Sequence, residues 1–591
     1  MRIPALPRRS LPCTALPHRF LPRVLGTGVL AAALLAPQLA VAQSAILEGE
    51  RFHPEVGERG MVATSHFLAS EVAHDVLAEG GNAVDAAVTA GFALAVTQPR
   101  SGNIGGGGFM LISDEDSDEV IAIDYRETAP AAATETMFQD EDGNAVAEWS
   151  RFTHRAAGVP GTVAGLALAL KEYGTLSLAE ALAPAIRLAE DGFTVPQRFV
   201  DGVAEAGERL TKWEATEAMF YKADGSAYVV GETFRQPDLA ATLKRIAEQG
   251  AREFYEGETA ELIVAEMQRH DGLITREDLA GYQPEIREPS HGSYRGYDVY
   301  AMSPPSSGGV HIVQMLNILE AYDIGTMGFG AADTMHVMAE AMKRAYADRA
   351  EYLGDTDFVD VPLEGLTSES YADELRAQIA IDRATPSDEI AAGDPAPYES
   401  NETTHFSIAD DDGLAVSNTY TINFSYGSGI AVDGAGFLLN NEMDDFSAKP
   451  GVPNAYGLIG GEANRIEPGK RMLSSMTPTI VRRDGENFLI TGSPGGSRII
   501  TTTLQVLMNV IDHGMNVQSA VSAPRLHHQW LPDELRVEAG FSPDTLSLLE
   551  ARGHTISQQS AMGAAQSIVI DDGRFYGGAD PRRSTSSAMG L

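Results

Sequence analysis

The sequence predicts an α+β fold in which stacked sheets are covered by helices. Three observations predict it. Helix and strand signals are mixed over the whole length, helix signals concentrate between about 160 and 390, and strand signals with tight turns dominate after 403. At 591 residues the chain is long enough for a large buried core or more than one lobe. It shows no internal repeat, which argues against a solenoid.

The elements follow in order. Residues 1–23 carry five arginines and no acid. The small apolar run "VLGTGVLAAALLAPQLAVA" comes next and ends in Ala40-Val41-Ala42, an A-x-A-like cleavage site. Residues 1–42 therefore read as a secretory signal, cleaved near Ala42–Gln43, which implies a periplasmic or secreted protein. The alternative is a membrane anchor, but the run is short and contains Pro37. Arg8-Arg9 hints at twin-arginine export, although the flanking residues fit poorly. No later run is long enough to span a bilayer. Cleavage would also remove Cys13, the only cysteine, leaving no disulfide, thiolate nucleophile or cysteine ligand.

From Met61 to Leu111, "TSHFLASEVAHDVLAEGGNAVDAAVTAGFALAVTQP" has apolar residues at helical spacing, broken at Gly80-Gly81. "SGNIGGGGFMLIS" and a strand-like "VIAIDYRE" follow. "GTVAGLALALKEYG", "SLAEALAPAIRLAEDG" and "ADTMHVMAEAMKRAYADRAEYLG" predict helices in the middle of the chain. Residues 383–403 are polar, proline-containing and aperiodic, and read as an exposed loop. "THFSIAD", the turn "DDG" and "LAVSNTYTIN" alternate like a hairpin. "GFLLNN", "PTIVRRDG", "NFLITGS" and "QSIVIDDGRFYGG" suggest further strands, and "IITTTLQVLMNVIDHG" a helix.

Composition excludes some chemistry. The formal net charge is −40, from 43 Lys plus Arg against 83 Asp plus Glu. So acidic a surface suits a highly soluble protein and opposes nucleic-acid binding, which needs clustered cations.

Four stretches carry candidate chemistry. In "YESNETTHFS", Thr403-Thr404 stands where the loop meets a strand. A threonine there is ordinarily a β-former. Cutting Glu402–Thr403 would change that, because Thr403 would become an N-terminus. An α-amine has a pKa of about 7.7–8.0 and can take the proton of the hydroxyl on the same residue. In "ITGSPGGSRIITT", the Gly-Gly turn between strand and helix could pack tightly, cradle a phosphate, or present N–H groups to a developing oxyanion. It lacks the Walker spacing and lysine. "SGNIGGGGFM" fits close backbone packing better than a dinucleotide fingerprint. In "NNEMDDFSAKPGVPNAYG", Glu442, Asp444 and Asp445 read either as a solvated acidic turn or as carboxylates for a substrate ammonium. The spacing is not that of an EF-hand. "HHQW" is a poor metal site, because adjacent histidines on a strand face opposite ways.

Together these stretches closely resemble the γ-glutamyltranspeptidase (glutathione hydrolase) family of N-terminal nucleophile hydrolases, in its bacterial form. The matching runs include "GNIGGGGFMLI", "AIDYRETAP", "PPSSGG", "APYESNETTHFS", "LLNNEMDDFSAKPGVPNAYGLIGG", "KRMLSSMTPTIV" and "TGSPGGSRIITT". They extend over nearly the whole mature chain. The resemblance implies a four-layer αββα sandwich with a helix-rich lobe. It implies self-cleavage between Glu402 and Thr403 into a large subunit, 43–402, and a small one, 403–591, which stay associated.

The resemblance also implies site roles. Thr403 is the nucleophile, with its new amine as base, and Thr421 hydrogen-bonds it. Gly495 and Gly496 form the oxyanion hole. Arg126, with Ser474 and Ser475, meets the glutamyl α-carboxylate, and Asn423, Glu442 and Asp445 meet the α-ammonium. Tyr456, in a lid segment, meets Asn423. The donors are glutathione and other γ-glutamyl compounds, and the acceptors are water, amino acids or dipeptides. No metal or organic cofactor is implied. Departures are small: Glu442 where relatives carry Gln or Glu, and Met472 in place of a common proline. Two rival readings are a cephalosporin (glutaryl) acylase of the same fold and a non-catalytic periplasmic binding protein.

Overall fold

The structure, a computed structural model, describes residues 52–390 and 403–591. The expected signal segment and the expected cleavage junction up to Glu402 lie outside the described residues.

Two seven-stranded antiparallel sheets form the centre. One runs from edge to edge through Glu55–Gly57, Arg574–Ala579, Gln566–Asp571, Glu486–Thr491, Thr479–Arg483, Tyr297–Ala301 and Ser290–Tyr294. The other runs through Ser587–Gly590, Gly60–Thr64, Thr404–Asp410, Leu414–Thr421, Gly107–Asp114, Glu119–Tyr125 and Glu285–Arg287. Each sheet therefore interleaves strands from before and after position 402.

Strand alternation explains the layering. In the second sheet Met61, Ala63, Phe109, Leu111 and Ala409 face the first sheet, where Ile480, Ile490 and Ile568 meet them. Their neighbours Val62, Met110, Ile112 and Ile408 point the other way, into the helices Phe67–Ala78, Ala83–Thr97, Thr162–Tyr173 and Leu178–Asp191. On the far side Val481 and Leu489 pack on the helices Gly308–Leu319, Ala332–Tyr352 and Arg498–Ile511. Strands buried on both faces read as unbroken apolar runs such as "FMLI". Each large aliphatic side chain buried this way contributes about 1.5–3 kcal/mol. The architecture is the αββα sandwich, with further helices between 162 and 281 forming the lobe.

Local sequence sets the helix ends. Asn82 and Asp85 form a reciprocal capping box that starts Ala83–Thr97, a helix buried on every side. Ser177 and Glu180 do the same for Leu178–Asp191. The expected strand "GFLLNN" does not form. Gly434 and Gly436 adopt positive φ, and only an isolated bridge joins Ala431 to Leu438. A left-handed glycine at each side of the turn takes that backbone out of any extended ladder.

Candidate active site

Thr403 directly precedes the strand Thr404–Asp410, which pairs with Leu414–Thr421 in the register Thr404 to Tyr420. That register sets Thr403 against Thr421, and their Oγ1 atoms are 3.5 Å apart. Thr403 is 4% exposed. Its carbonyl accepts hydrogen bonds from both terminal nitrogens of Arg583, at 3.2 and 3.3 Å. The backbone N–H of Asn423 donates to Thr421 Oγ1 at 2.8 Å, which orients that hydroxyl.

The glycine run lets the next strand approach. A Cβ at Gly106 would lie 2.0 Å from the carbonyl oxygen of Thr421, so close backbone packing is what these glycines provide. The second glycine turn, between the strand Glu486–Thr491 and the helix Arg498–Ile511, holds Gly495 at φ 140° and Gly496 at φ 56°. Neither N–H has an acceptor among the described residues. A side chain at Gly496 would strike the ring of Tyr456 at 2.5 Å. Tyr456 donates its hydroxyl to Asn423 Oδ1, and Asn423, at φ 70°, donates to the Asn441 carbonyl at 3.0 Å.

The acidic stretch is a buried 3₁₀ turn, Glu442–Asp445, and the solvated-turn reading fails. Arg126 donates to Glu442 Oε2 at 2.6 Å, to Asp445 Oδ2 at 2.5 Å and to the Met472 carbonyl at 3.2 Å. Burial pushes the Glu442 and Asp445 carboxyls above their usual range, and Arg126 pulls them back. Glu127 lies 3.6 Å from Arg126 with neither oxygen hydrogen-bonded. Burial, opposed by Arg126, raises it to about 8. Asp444 turns away from Arg126 and ties Ser150, Arg151 and the backbone of Ala455 together.

One cavity is lined by ten of the eleven sequence-predicted residues: Arg126, Thr403, Thr421, Asn423, Glu442, Asp445, Tyr456, Ser474, Ser475 and Gly496. Gly495 stands next to it in the chain. Sequence reasoning missed Arg349, which also lines the cavity. No local signal marks it, because it sits inside a long helix that is buried almost all round.

Other polar clusters lie elsewhere. His527 and His528 are buried against Thr501 and Asp533, respectively, rather than sharing an ion. His154–Glu266–His270 and His336–Glu340–His554 have metal-binding side-chain types. In each, arginine already holds the carboxylate: Arg269 on Glu266 and Arg344 on Glu340.

Comparison with known proteins points to a single family. The family model for gamma-glutamyltranspeptidase matches residues 69–590. A glutathione hydrolase proenzyme of Escherichia coli is 56% identical over 91% of this chain and 92% of its own length. Among solved structures, a cephalosporin acylase from Bacillus halodurans superposes with TM-score 0.82 at 31% identity, covering 93% of this chain and 98% of its own. A Helicobacter pylori gamma-glutamyltranspeptidase is 49% identical with TM-score 0.55, covering 56% of this chain and 94% of its own. A cavity of this composition, in a chain matched from its first helix to its last strand, leads to one family: the chain belongs to the gamma-glutamyltranspeptidases.

Proposed function

We propose that the chain is an exported proenzyme that cuts itself at Glu402–Thr403 and then hydrolyses or transfers γ-glutamyl groups, with glutathione as a donor. The observation that carries this is Thr403 held opposite Thr421 in a buried cavity that also contains two guanidiniums and two carboxylates.

In maturation the Thr403 hydroxyl attacks the Glu402 carbonyl and the C–N bond breaks. Water then hydrolyses the ester, leaving a free amine on Thr403. In turnover that amine takes the hydroxyl proton, Oγ1 attacks the donor's γ-carbonyl, and the leaving amine is protonated. The N–H groups of Gly495 and Gly496 meet the developing oxyanion, each such donor being worth roughly 2.7–4 kcal/mol. Water or an amino acid then releases the acyl group from Thr403. A donor that is a zwitterion suits a cavity in which charge is already balanced. Its ammonium goes to Asn423, Glu442 and Asp445, and its carboxylate to Arg126, Ser474 and Ser475. The interleaved sheets support continued association of the 43–402 and 403–591 pieces. Among the described residues no helix is long and apolar enough to cross a membrane.

Thr403→Ala is expected to leave one uncut chain and to release no p-nitroaniline from a γ-glutamyl anilide. Normal cutting in that variant would refute the role of Thr403. A fully active preparation running as one full-length band would refute maturation, and a binding protein would give the same band without turnover. The likeness to a cephalosporin acylase favours a second reading, glutaryl donors. It is decided by rates on glutaryl against γ-glutamyl anilides, where Glu442 and Asp445 favour the donor with an ammonium.

A further inference from the structure

Arg126 already holds two carboxylates in the unliganded cavity. Its three donor nitrogens go to Glu442, Asp445 and the Met472 carbonyl. Its charge is thus shared with two anions, and while both pairs hold an incoming carboxylate is left only the second N–H of each terminal nitrogen.

The cavity contains a second guanidinium. Arg349, on the helix Ala332–Tyr352, is 5% exposed. Its Nε donates to Ser307 Oγ at 3.0 Å and its Nη2 to Ser475 Oγ at 3.2 Å. Among the described residues no carboxylate pairs with it. A buried cation whose side-chain hydrogen bonds go to neutral hydroxyls, with Asp445 only as a longer-range counter-charge, is costly and attracts an anion. Burial, helped by repulsion from Arg126 and opposed by attraction from Asp445, pulls its pKa down to about 10, so it stays charged at neutral pH.

Its two partners lead to the same place. Ser307 accepts from Arg349, and its hydroxyl donates to the Ser474 carbonyl at 2.8 Å, a carbonyl that also accepts from the Ser307 N–H at 2.9 Å. Ser475 Oγ accepts from Arg349, and Ser474 Oγ accepts from the Met476 N–H at 3.0 Å. Each serine hydroxyl of the pair therefore has a lone pair engaged by the protein. Each O–H proton has no acceptor among the described residues. A hydroxyl anchored as acceptor presents its proton outward, which is the arrangement a carboxylate needs.

Resting on the functional reading above, we infer that Arg349 is a positioning residue of the donor's α-carboxylate subsite. Through Ser307 and Ser475 it holds the serine pair with both protons directed at the carboxylate. It also supplies the positive charge that Arg126 shares with Glu442 and Asp445. Donor binding is then a paired exchange. The ammonium competes with Arg126 for its two carboxylates while the carboxylate meets Arg349, which no carboxylate hydrogen-bonds. An acyl donor lacking the α-carboxylate forfeits the second half of that exchange.

The test compares two donors, γ-glutamyl-p-nitroanilide and its α-carboxamide, which carries no charge at that position. Wild type is expected to prefer the acid. In Arg349→Met, KM for the acid is expected to rise at least about tenfold. Its kcat should stay within about threefold, and the preference for the acid should shrink by the same tenfold. Arg349→Lys should recover part of the preference, because it restores the charge without the two-point hold. Ser307→Ala should give a smaller loss in the same direction. Unchanged preference in Arg349→Met, or equal loss on both donors through kcat, overturns the inference alone. If Arg349→Met does not fold, a Lys variant with wild-type KM and preference overturns it. A wild type inert toward both donors overturns the functional reading and the inference with it.

Discussion

Two buried ion clusters in this molecule use the same residue types to opposite ends. Behind the strand Leu535–Glu538, Arg525, Arg582, Asp580 and Glu538 form a closed set. Asp580 accepts from Arg525, Arg582 and the Ala565 N–H, and Glu538 accepts from Arg582 and the N–H groups of Arg525 and Met562. Every carboxylate oxygen there is used. In the cavity, Arg126 meets Glu442 and Asp445, but Glu442 Oε1 and both oxygens of Glu127 accept nothing. The closed cluster is built to hold the chain. The open one keeps hydrogen-bonding capacity in reserve at buried positions, which native structures rarely tolerate except where a ligand or a proton will use it.

The contrast can be broken at the closed cluster first. Arg525→Met should cost about 3–5 kcal/mol of stability by stranding Asp580, read as a fall in urea midpoint at constant slope. Arg126→Met should behave the other way round. Its midpoint should fall by less than half as much, because Asp445 reaches the cavity, while kcat/KM for a γ-glutamyl anilide falls about 100- to 1000-fold. If both substitutions destabilise equally, the distinction between the clusters fails.

Glu127 sharpens the comparison through pH. Its folded pKa, about 8, lies above its usual 4.5, so the folded chain binds the extra proton between those values. Stability from this group is therefore present at low pH and lost as pH rises from about 4.5 to 8. Glu127→Gln should be more stable than wild type above pH 8, by about 1–3 kcal/mol, with the gap closing near pH 5. A constant gap across that range would refute it. Tyr456→Phe is the smallest change. Losing one hydrogen bond to Asn423 should cost about 1 kcal/mol and leave the urea slope unchanged.

The sheets were legible because strands buried on both faces leave continuous apolar runs, and the hairpin at 404–421 because "DDG" punctuates it. "GFLLNN" has the same composition as a strand but is governed by the two positive-φ glycines beside it, which tertiary packing fixed. The acidic turn at 442–445 could be read as solvent-facing because its buried partner, Arg126, lies 316 residues away. Arg349 left no trace, since its role comes from contacts 42 and 126 residues distant, and a helix face carries no record of them.

The strand Thr404–Asp410 lies between Gly60–Thr64 on one side and Leu414–Thr421 on the other. A cut just before it leaves two pieces whose strands alternate, so neither piece contains a complete sheet. In the uncut chain those strands belong to one polypeptide, so their reassembly does not depend on concentration. The processed molecule must first bring two polypeptides together, and its recovery becomes second order in concentration. The more dilute a molecule cut there is, the slower its strands would find one another again.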